Sequence, residues 1–201
     1  MKVLRIFPSN INPRFIAEAV EALTDGELIA YPTDTFYAIG CDALNNQAIE
    51  RLCRLKGIDP RKEALSVVCA DISQASEYAR IDNRAFRILK DCLPGPFTFI
   101  LSASTTLPKV FKGRKEVGIR IPDSEVARAI ARELGHPVLS TTAISSDTDV
   151  AITDPDEVMT SYDRHVSLML DAGETPGIGT TVVSLLNPDE PEIVREGAGI
   201  F

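Results

Sequence analysis

The residues best able to do chemistry fall in short polar runs between apolar stretches. They are Pro32-Thr33-Asp34-Thr35, Lys56-Gly57, Arg120-Ile121-Pro122, Ser140-Thr141-Thr142, Gly177 to Thr181, and Arg195-Glu196-Gly197. Threonine and serine hydroxyls both donate and accept, which suits phosphate oxygens and an amino-acid substrate alike. Arginine offers a planar fork for carboxylate or phosphate, whereas lysine offers a point charge. Arg120 is the sharpest signal, because it sits in an otherwise apolar strand and needs a buried or cleft-side partner. Singly, each residue also has a plainer role: Thr33 can cap a turn, Lys56 can complement a helix C-terminus, and Thr180 and Thr181 favour a strand. Taken together, composition and spacing predict a cleft for phosphate or carboxylate and go no further.

Several chemistries are excluded on pattern. G-x-x-x-x-G-K-[ST], G-x-G-x-x-G and G-x-S-x-G are all absent. Cys41, Cys53, Cys69 and Cys92 form no C-x-x-C pair and read as small core residues rather than as a disulfide or zinc set. His136 and His165 lack ligand spacing, so no metal site is expected. No run approaches the roughly 18–20 apolar residues of a membrane helix, and the N-terminus lacks a signal-peptide apolar region. A cytoplasmic protein with no membrane partner is expected.

Charge is unevenly spread. The net charge of −8 argues against sequence-blind binding to nucleic acid. Residues 1–132 nevertheless carry a net +3 and residues 133–201 a net −11. Basic side chains thicken at Arg51, Arg54, Lys56, Arg61 and Lys62, and again at Lys109, Lys112, Arg114, Lys115 and Arg120. They read either as solvated faces or as a local positive concavity, since a cleft focuses field even on an acidic protein.

The elements that must position these groups follow from periodicity and capping. Asn12-Pro13 opens a helix in which Phe15, Ile16, Ala19, Val20 and Leu23 recur at helical spacing, and Gly26 stops it. Further helices are predicted over 46–56, from Ser73, from Asp82 and over 124–134. Strands are predicted at 27–31, 36–41, 65–69, 97–102, 117–121, 138–139, 166–170, 181–186 and 193–195, with Ser140-Thr141-Thr142 leaving the end of one of them. No linker or repeat interrupts residues 1–201. The expectation is one α/β domain: a twisted open sheet of mixed parallel and antiparallel strands, flanked by helices and with a concave face. In such sheets, ligands bind where loops leave the strand ends.

The ordered blocks Tyr31-Pro32-Thr33-Asp34-Thr35-Phe36-Tyr37-Ala38-Ile39-Gly40-Cys41, Pro94-Gly95-Pro96-Phe97-Thr98, Gly118-Ile119-Arg120-Ile121-Pro122, Leu139-Ser140-Thr141-Thr142, Thr180-Thr181-Val182-Val183 and Arg195-Glu196-Gly197 resemble the YrdC/YciO-like family. Leu52-Cys53-Arg54-Leu55-Lys56 and Asp82 to Arg87 place it nearest the YciO branch. The resemblance implies a twisted sheet with a large positive concave face. For the synthase members it implies formation of threonylcarbamoyl-AMP from L-threonine, bicarbonate and ATP, used in the t6A modification of tRNA. Carried over by motif, Thr33, Arg120 and Thr180 would hold threonine or its carbamate, and Lys56, Thr142 and Arg195 would face the nucleotide. Thr35, Thr141 and Arg61 are further candidates. ATP would be a substrate accompanied by Mg²⁺. No side chain is assigned to acid–base work, because positioning and charge neutralisation suffice.

This chain departs from the synthase pattern at two pairs. The Lys-x-Arg pair reads Lys56-Gly57-Ile58, and the Ser-x-Asn pair reads Thr142-Ala143-Ile144. Loss of one oriented donor of this kind costs on the order of 10²–10³ in rate. Two readings stay open. One is a weak or specialised L-threonylcarbamoyladenylate synthase, a nucleotidyltransferase. The other is a module binding double-stranded RNA or tRNA without turnover, through Arg51, Arg54, Lys62, Lys112, Arg114 and Lys115. A monomer is expected in both.

Overall fold

Helix ends follow the capping residues closely. In the computed structural model, which describes residues 1–59, 66–106 and 115–201, α1 (Pro13–Thr24) starts where the Asn12 side chain accepts from Arg14 N–H. Asn45 caps α2 (Asn46–Lys56), which ends at Gly57 in the left-handed conformation (φ 64°). Asp71, Asp82 and Ser124 cap α3 (Ile72–Tyr78), α4 (Asn83–Cys92) and α5 (Glu125–Leu134), and Asp154 caps α6 (Pro155–Tyr162). Helix α6 is not among the helices expected from the sequence, although Asp154-Pro155 carries the same cap-and-proline start as α1.

Among the described residues ten strands form one sheet. They are β1 (Lys2–Arg5), β2 (Ile29–Pro32), β3 (Tyr37–Asp42), β4 (Ser66–Val68), β5 (Phe97–Ser102), β6 (Glu116–Arg120), β7 (Val138–Thr142), β8 (Leu168–Asp171), β9 (Thr181–Ser184) and β10 (Glu192–Arg195). Their order is β1-β8-β2-β3-β7-β4-β6-β5-β9-β10, with parallel pairs β1–β8, β8–β2, β4–β6 and β5–β9 among antiparallel ones. The expected mixed sheet flanked by helices is thus observed. The hydroxyl run Ser140-Thr141-Thr142 corrects the sequence reading: it lies inside β7 rather than beyond its end.

Alternation along each strand builds two cores. Tyr37, Ile39 and Cys41 of β3 face one side, where α2, α4 and α6 contribute Ile49, Leu52, Leu89 and Val158. Ile29 and Tyr31 of β2 and Ala38 of β3 face the other, with α1 and α5 contributing Ile16, Leu23, Val126 and Ile130. Each large apolar side chain so buried contributes about 1.5–3 kcal/mol. The second core is smaller. It covers the β1 end of the sheet and β4 only as far as Val68, leaving the middle of this face open.

Candidate functional site

The uncovered part of that face is floored by small residues in register. Gly40 of β3 pairs with Ser140 of β7, Ser140 with Ser66 of β4, Ser66 with Gly118 of β6, and Gly118 with Ile100 of β5. Side chains directly opposite share a face, so this row crosses four strands without a bulky group until Ile100. At Gly118 a Cβ would lie 2.5 Å from Ser66 Oγ, so nothing larger than glycine fits under that hydroxyl. The result is a cleft of about 310 Å³ walled by Ser66, Thr98, Arg120, Ser140, Thr141, Thr142, Thr180 and Arg195, with Ile58, Ile100 and Val182 as its apolar part. Register pairs Thr141 with Ile39, on the other parity from its neighbours, so its role in this wall differs from theirs.

Arg120 closes the cleft floor. Its Nη2 donates to Asp34 Oδ1 at 3.2 Å and to Thr35 Oγ1 at 3.2 Å. Burial pulls its pKa down, and Asp34 holds it up; a guanidinium stays charged throughout. Arg120 Nε is buried with no hydrogen-bond partner among the described residues. An unmet donor buried in this way is costly where it stands.

Arg195 reaches the same cleft through an irregularity in β10. Glu192 pairs with Ser184 and Ile193 with Val183, but Arg195, not Val194, pairs with Val182. This bulge replaces an apolar side chain with a guanidinium on the cleft face. Arg195 Nη2 then donates to Thr180 O at 3.0 Å and Thr180 Oγ1 at 3.2 Å, and Thr180 Oγ1 lies 2.9 Å from Thr98 Oγ1.

Three predicted residues, Thr33, Thr35 and Lys56, stand outside the cleft wall. Thr33 Oγ1 accepts from Thr35 N–H at 3.2 Å, lies 3.0 Å from Thr35 Oγ1 and donates to Phe36 O at 2.7 Å. Its hydrogen-bonding capacity is filled internally, so it reaches Arg120 only through Thr35. Lys56 is half-buried, with Nζ 3.3 Å from Tyr162 Oη and 5.9 Å from that ring's centroid. Burial lowers its pKa, and Asp149 counters this. Tyr162 Oη donates to Ile144 O at 2.9 Å and accepts from Ile144 N–H at 2.9 Å, which fixes the backbone there, and Ile144 is not among the residues lining the cleft. Ile58 does line the cleft. Ser66 and Thr98 are cleft residues that sequence reasoning did not select as site residues; only strand register brings Ser66 beside Ser140.

Arg61, Lys62, Lys112 and Arg114 lie outside the described residues. Arg51 is exposed and paired with Glu27 at 2.8 Å. With Arg54, Arg164 and His165 it borders a separate recess, and Lys115 is exposed beside the start of β6. Among the described residues no group of three or more acidic, cysteine or histidine side chains could hold a metal ion, and no helix is long and apolar enough to cross a membrane.

A mixed sheet with one partly bare, arginine- and hydroxyl-lined face is the YrdC fold. The crystal structure of Escherichia coli YciO shares it with a TM-score of 0.90 at 36% identity, covering 100% of this chain and 98% of that one. The structure of P. abyssi Sua5 complexed with L-threonine shares it with a TM-score of 0.88 at 27% identity, covering 98% of this chain and 58% of that one. The family model for Sua5, YciO and YrdC, described as "Telomere recombination", matches residues 21–197. In sequence, YciO of E. coli K12 is 37% identical over 196 residues, 96% of this chain and 94% of that protein. The threonylcarbamoyl-AMP synthase of Bacillus subtilis is 33% identical over 186 residues, 90% of this chain and 53% of that protein. The chain belongs to the Sua5/YciO/YrdC family.

Proposed function

We propose that the cleft binds L-threonine and an adenine nucleotide together, and that the chain forms threonylcarbamoyl-AMP slowly. The carrying observation is the cleft in which Arg120 and Arg195 stand among Thr98, Ser140, Thr142 and Thr180, a set of donors suited to a carboxylate, carbamate or phosphate. Thr35 and Asp34 hold that guanidinium, while Thr180 and Thr98 anchor Arg195 for a phosphate oxygen. A carbamate oxygen attacking the α-phosphorus and expelling pyrophosphate needs positioning and charge neutralisation more than proton transfer. Ile58 in the wall, where an arginine would meet phosphate, accounts for slow turnover. No carboxylate lines the cleft among the described residues, so Mg²⁺ would enter with the nucleotide. The test is pyrophosphate release from ATP that requires both threonine and bicarbonate. Release independent of threonine, or none at high protein concentration, overturns the reading.

A second reading, binding of double-stranded RNA or tRNA, draws on the separate recess where Arg51, Arg54, Arg164 and His165 meet. Phosphate-backbone binding there weakens steeply with salt. A flat salt response, or binding unchanged in an Arg54→Ala/Arg164→Ala variant, removes it.

A further inference from the structure

Tyr31 and Ser140 are separated by a strand, since β3 runs between β2 and β7. The Tyr31 hydroxyl still stands 2.8 Å from Ser140 Oγ. Gly40 of β3, which pairs with Ser140, makes the crossing possible. A Cβ there would lie 2.8 Å from Tyr31 Cε1 and 2.7 Å from Val138 Cγ1. The tyrosine ring therefore occupies the space that any other residue at position 40 would take.

The direction of this hydrogen bond follows from burial. Tyr31 is fully buried, and Ser140 Oγ is its hydroxyl's partner among the described residues. If Ser140 donated, the phenolic proton would be left in the core without an acceptor, which is the costlier arrangement. Tyr31 therefore donates. Burial raises its pKa to about 12, so it keeps its proton well above neutral pH. The Ser140 O–H is then left for the cleft, whose wall Ser140 forms.

We propose that Tyr31 is a positioning residue: through Ser140 it presents an oriented hydrogen-bond donor in the cleft and so selects a ligand oxygen acceptor at that point. The inference rests on the threonine reading of the cleft and adds to it the device that orients one wall hydroxyl. Tyr31→Phe keeps the ring that packs over Gly40 and removes only the hydroxyl. Ser140→Ala removes the same bond from the cleft side, without touching the ring.

The experiment is calorimetric titration of L-threonine into wild type, Tyr31→Phe, Ser140→Ala and the double variant. Each single change should weaken binding about 3- to 10-fold, the usual reach of one neutral hydrogen bond. The double variant should bind no more weakly than Ser140→Ala alone, because both changes remove one coupled unit. Losses that multiply in the double variant overturn the proposal. So does a Tyr31→Phe variant that melts earlier yet binds threonine as wild type does. Wild type that binds no threonine overturns the threonine reading, and this inference with it; binding by wild type with multiplying losses overturns this inference alone.

Discussion

Arg120 and Asp34 meet at 3.2 Å with side chains only 10% and 9% exposed. The pair joins β6 to the loop between β2 and β3, elements far apart in sequence. It also divides the guanidinium into two parts. Nη2 is committed to Asp34 and Thr35, while Nε is buried with no hydrogen-bond partner among the described residues. Asp34 thus acts as structure, while Arg120 itself lines the cleft. Its second oxygen accepts from Asp123 N–H at 2.9 Å, which ties the start of the α5 segment to the same point.

Removing that carboxylate should therefore cost stability. Asp34→Ala leaves a buried charge uncompensated, and loss of one partner of a buried pair is worth about 3–5 kcal/mol. Urea denaturation is expected to show a loss at the lower end of that range, because the cleft admits some water to Arg120. A loss below about 1 kcal/mol, as for an exposed pair, would mean that Arg120 is solvated in the native state.

Arg195→Ala should separate binding from stability. The guanidinium holds Thr180 from a strand whose outer residues are exposed, so the melting temperature should change little. Binding of AMP should weaken about 10- to 100-fold, the loss expected for one charged hydrogen-bonding group. Equal AMP affinity in the variant would remove Arg195 from the nucleotide reading.

These two arginines show what the chain discloses before folding and what it withholds. Arg120 is conspicuous in sequence, because a charge within an apolar strand demands a partner. Arg195 reaches the cleft only because of a bulge, and no periodicity predicts which residue a bulge turns inward. Helices α1, α2 and α5 are read correctly from their caps, since capping is local chemistry. Strand β1 is missed: four mostly exposed residues carry no pattern until β8, more than 160 residues later, pairs with them. The small floor residues Ser66, Gly118 and Ser140 gain meaning only from cross-strand register, a long-range property. Lys56 is conspicuous by motif yet leans on Tyr162, outside the cleft wall.

The isoleucines at the two departures should behave differently. Ile58 lines the cleft, whereas Ile144, whose backbone Tyr162 pins, does not. Ile58→Arg should tighten ATP binding about 10-fold or more, by adding one charge-assisted contact, and should raise threonine-dependent pyrophosphate release. Ile144→Asn alone should change neither. A gain from Ile144→Asn without Ile58→Arg would show that the loop after β7 rearranges on binding nucleotide.

Alkaline pH should unfold the chain earlier than an exposed tyrosine would allow. Burial raises the Tyr31 pKa from 10.0 to about 12, so the folded state favours the neutral phenol. That contribution is whole below pH 10 and is lost as pH rises through about 12; a shift of this size amounts to about 3 kcal/mol. Stability to urea should begin to fall near pH 9, where the buried Cys41 and Cys69 thiols, held well above their ordinary 9.0, would ionise in the unfolded chain, and the Tyr31 contribution should add to the fall between 10 and 12. Tyr31→Phe should decline less steeply over that interval. Because Tyr37 is also raised to about 12, part of the slope should persist. An unchanged slope in Tyr31→Phe would mean that the phenol is not buried as described.

Gly40→Ala tests the packing beneath the cleft floor. The backbone conformation poses no obstacle, since Gly40 sits within a regular strand. The added methyl meets Val138 Cγ1 at 2.7 Å and Tyr31 Cε1 at 2.8 Å, both on side chains fixed in the core. Overpacking of this kind costs about 1–3 kcal/mol. The ring is the group able to yield, and any shift draws its hydroxyl away from Ser140. Gly40→Ala should therefore lose stability and weaken threonine binding together, whereas Tyr31→Phe should weaken binding with a smaller stability loss. If Gly40→Ala melts earlier but binds threonine normally, Val138 has yielded instead and the ring has kept its place over position 40.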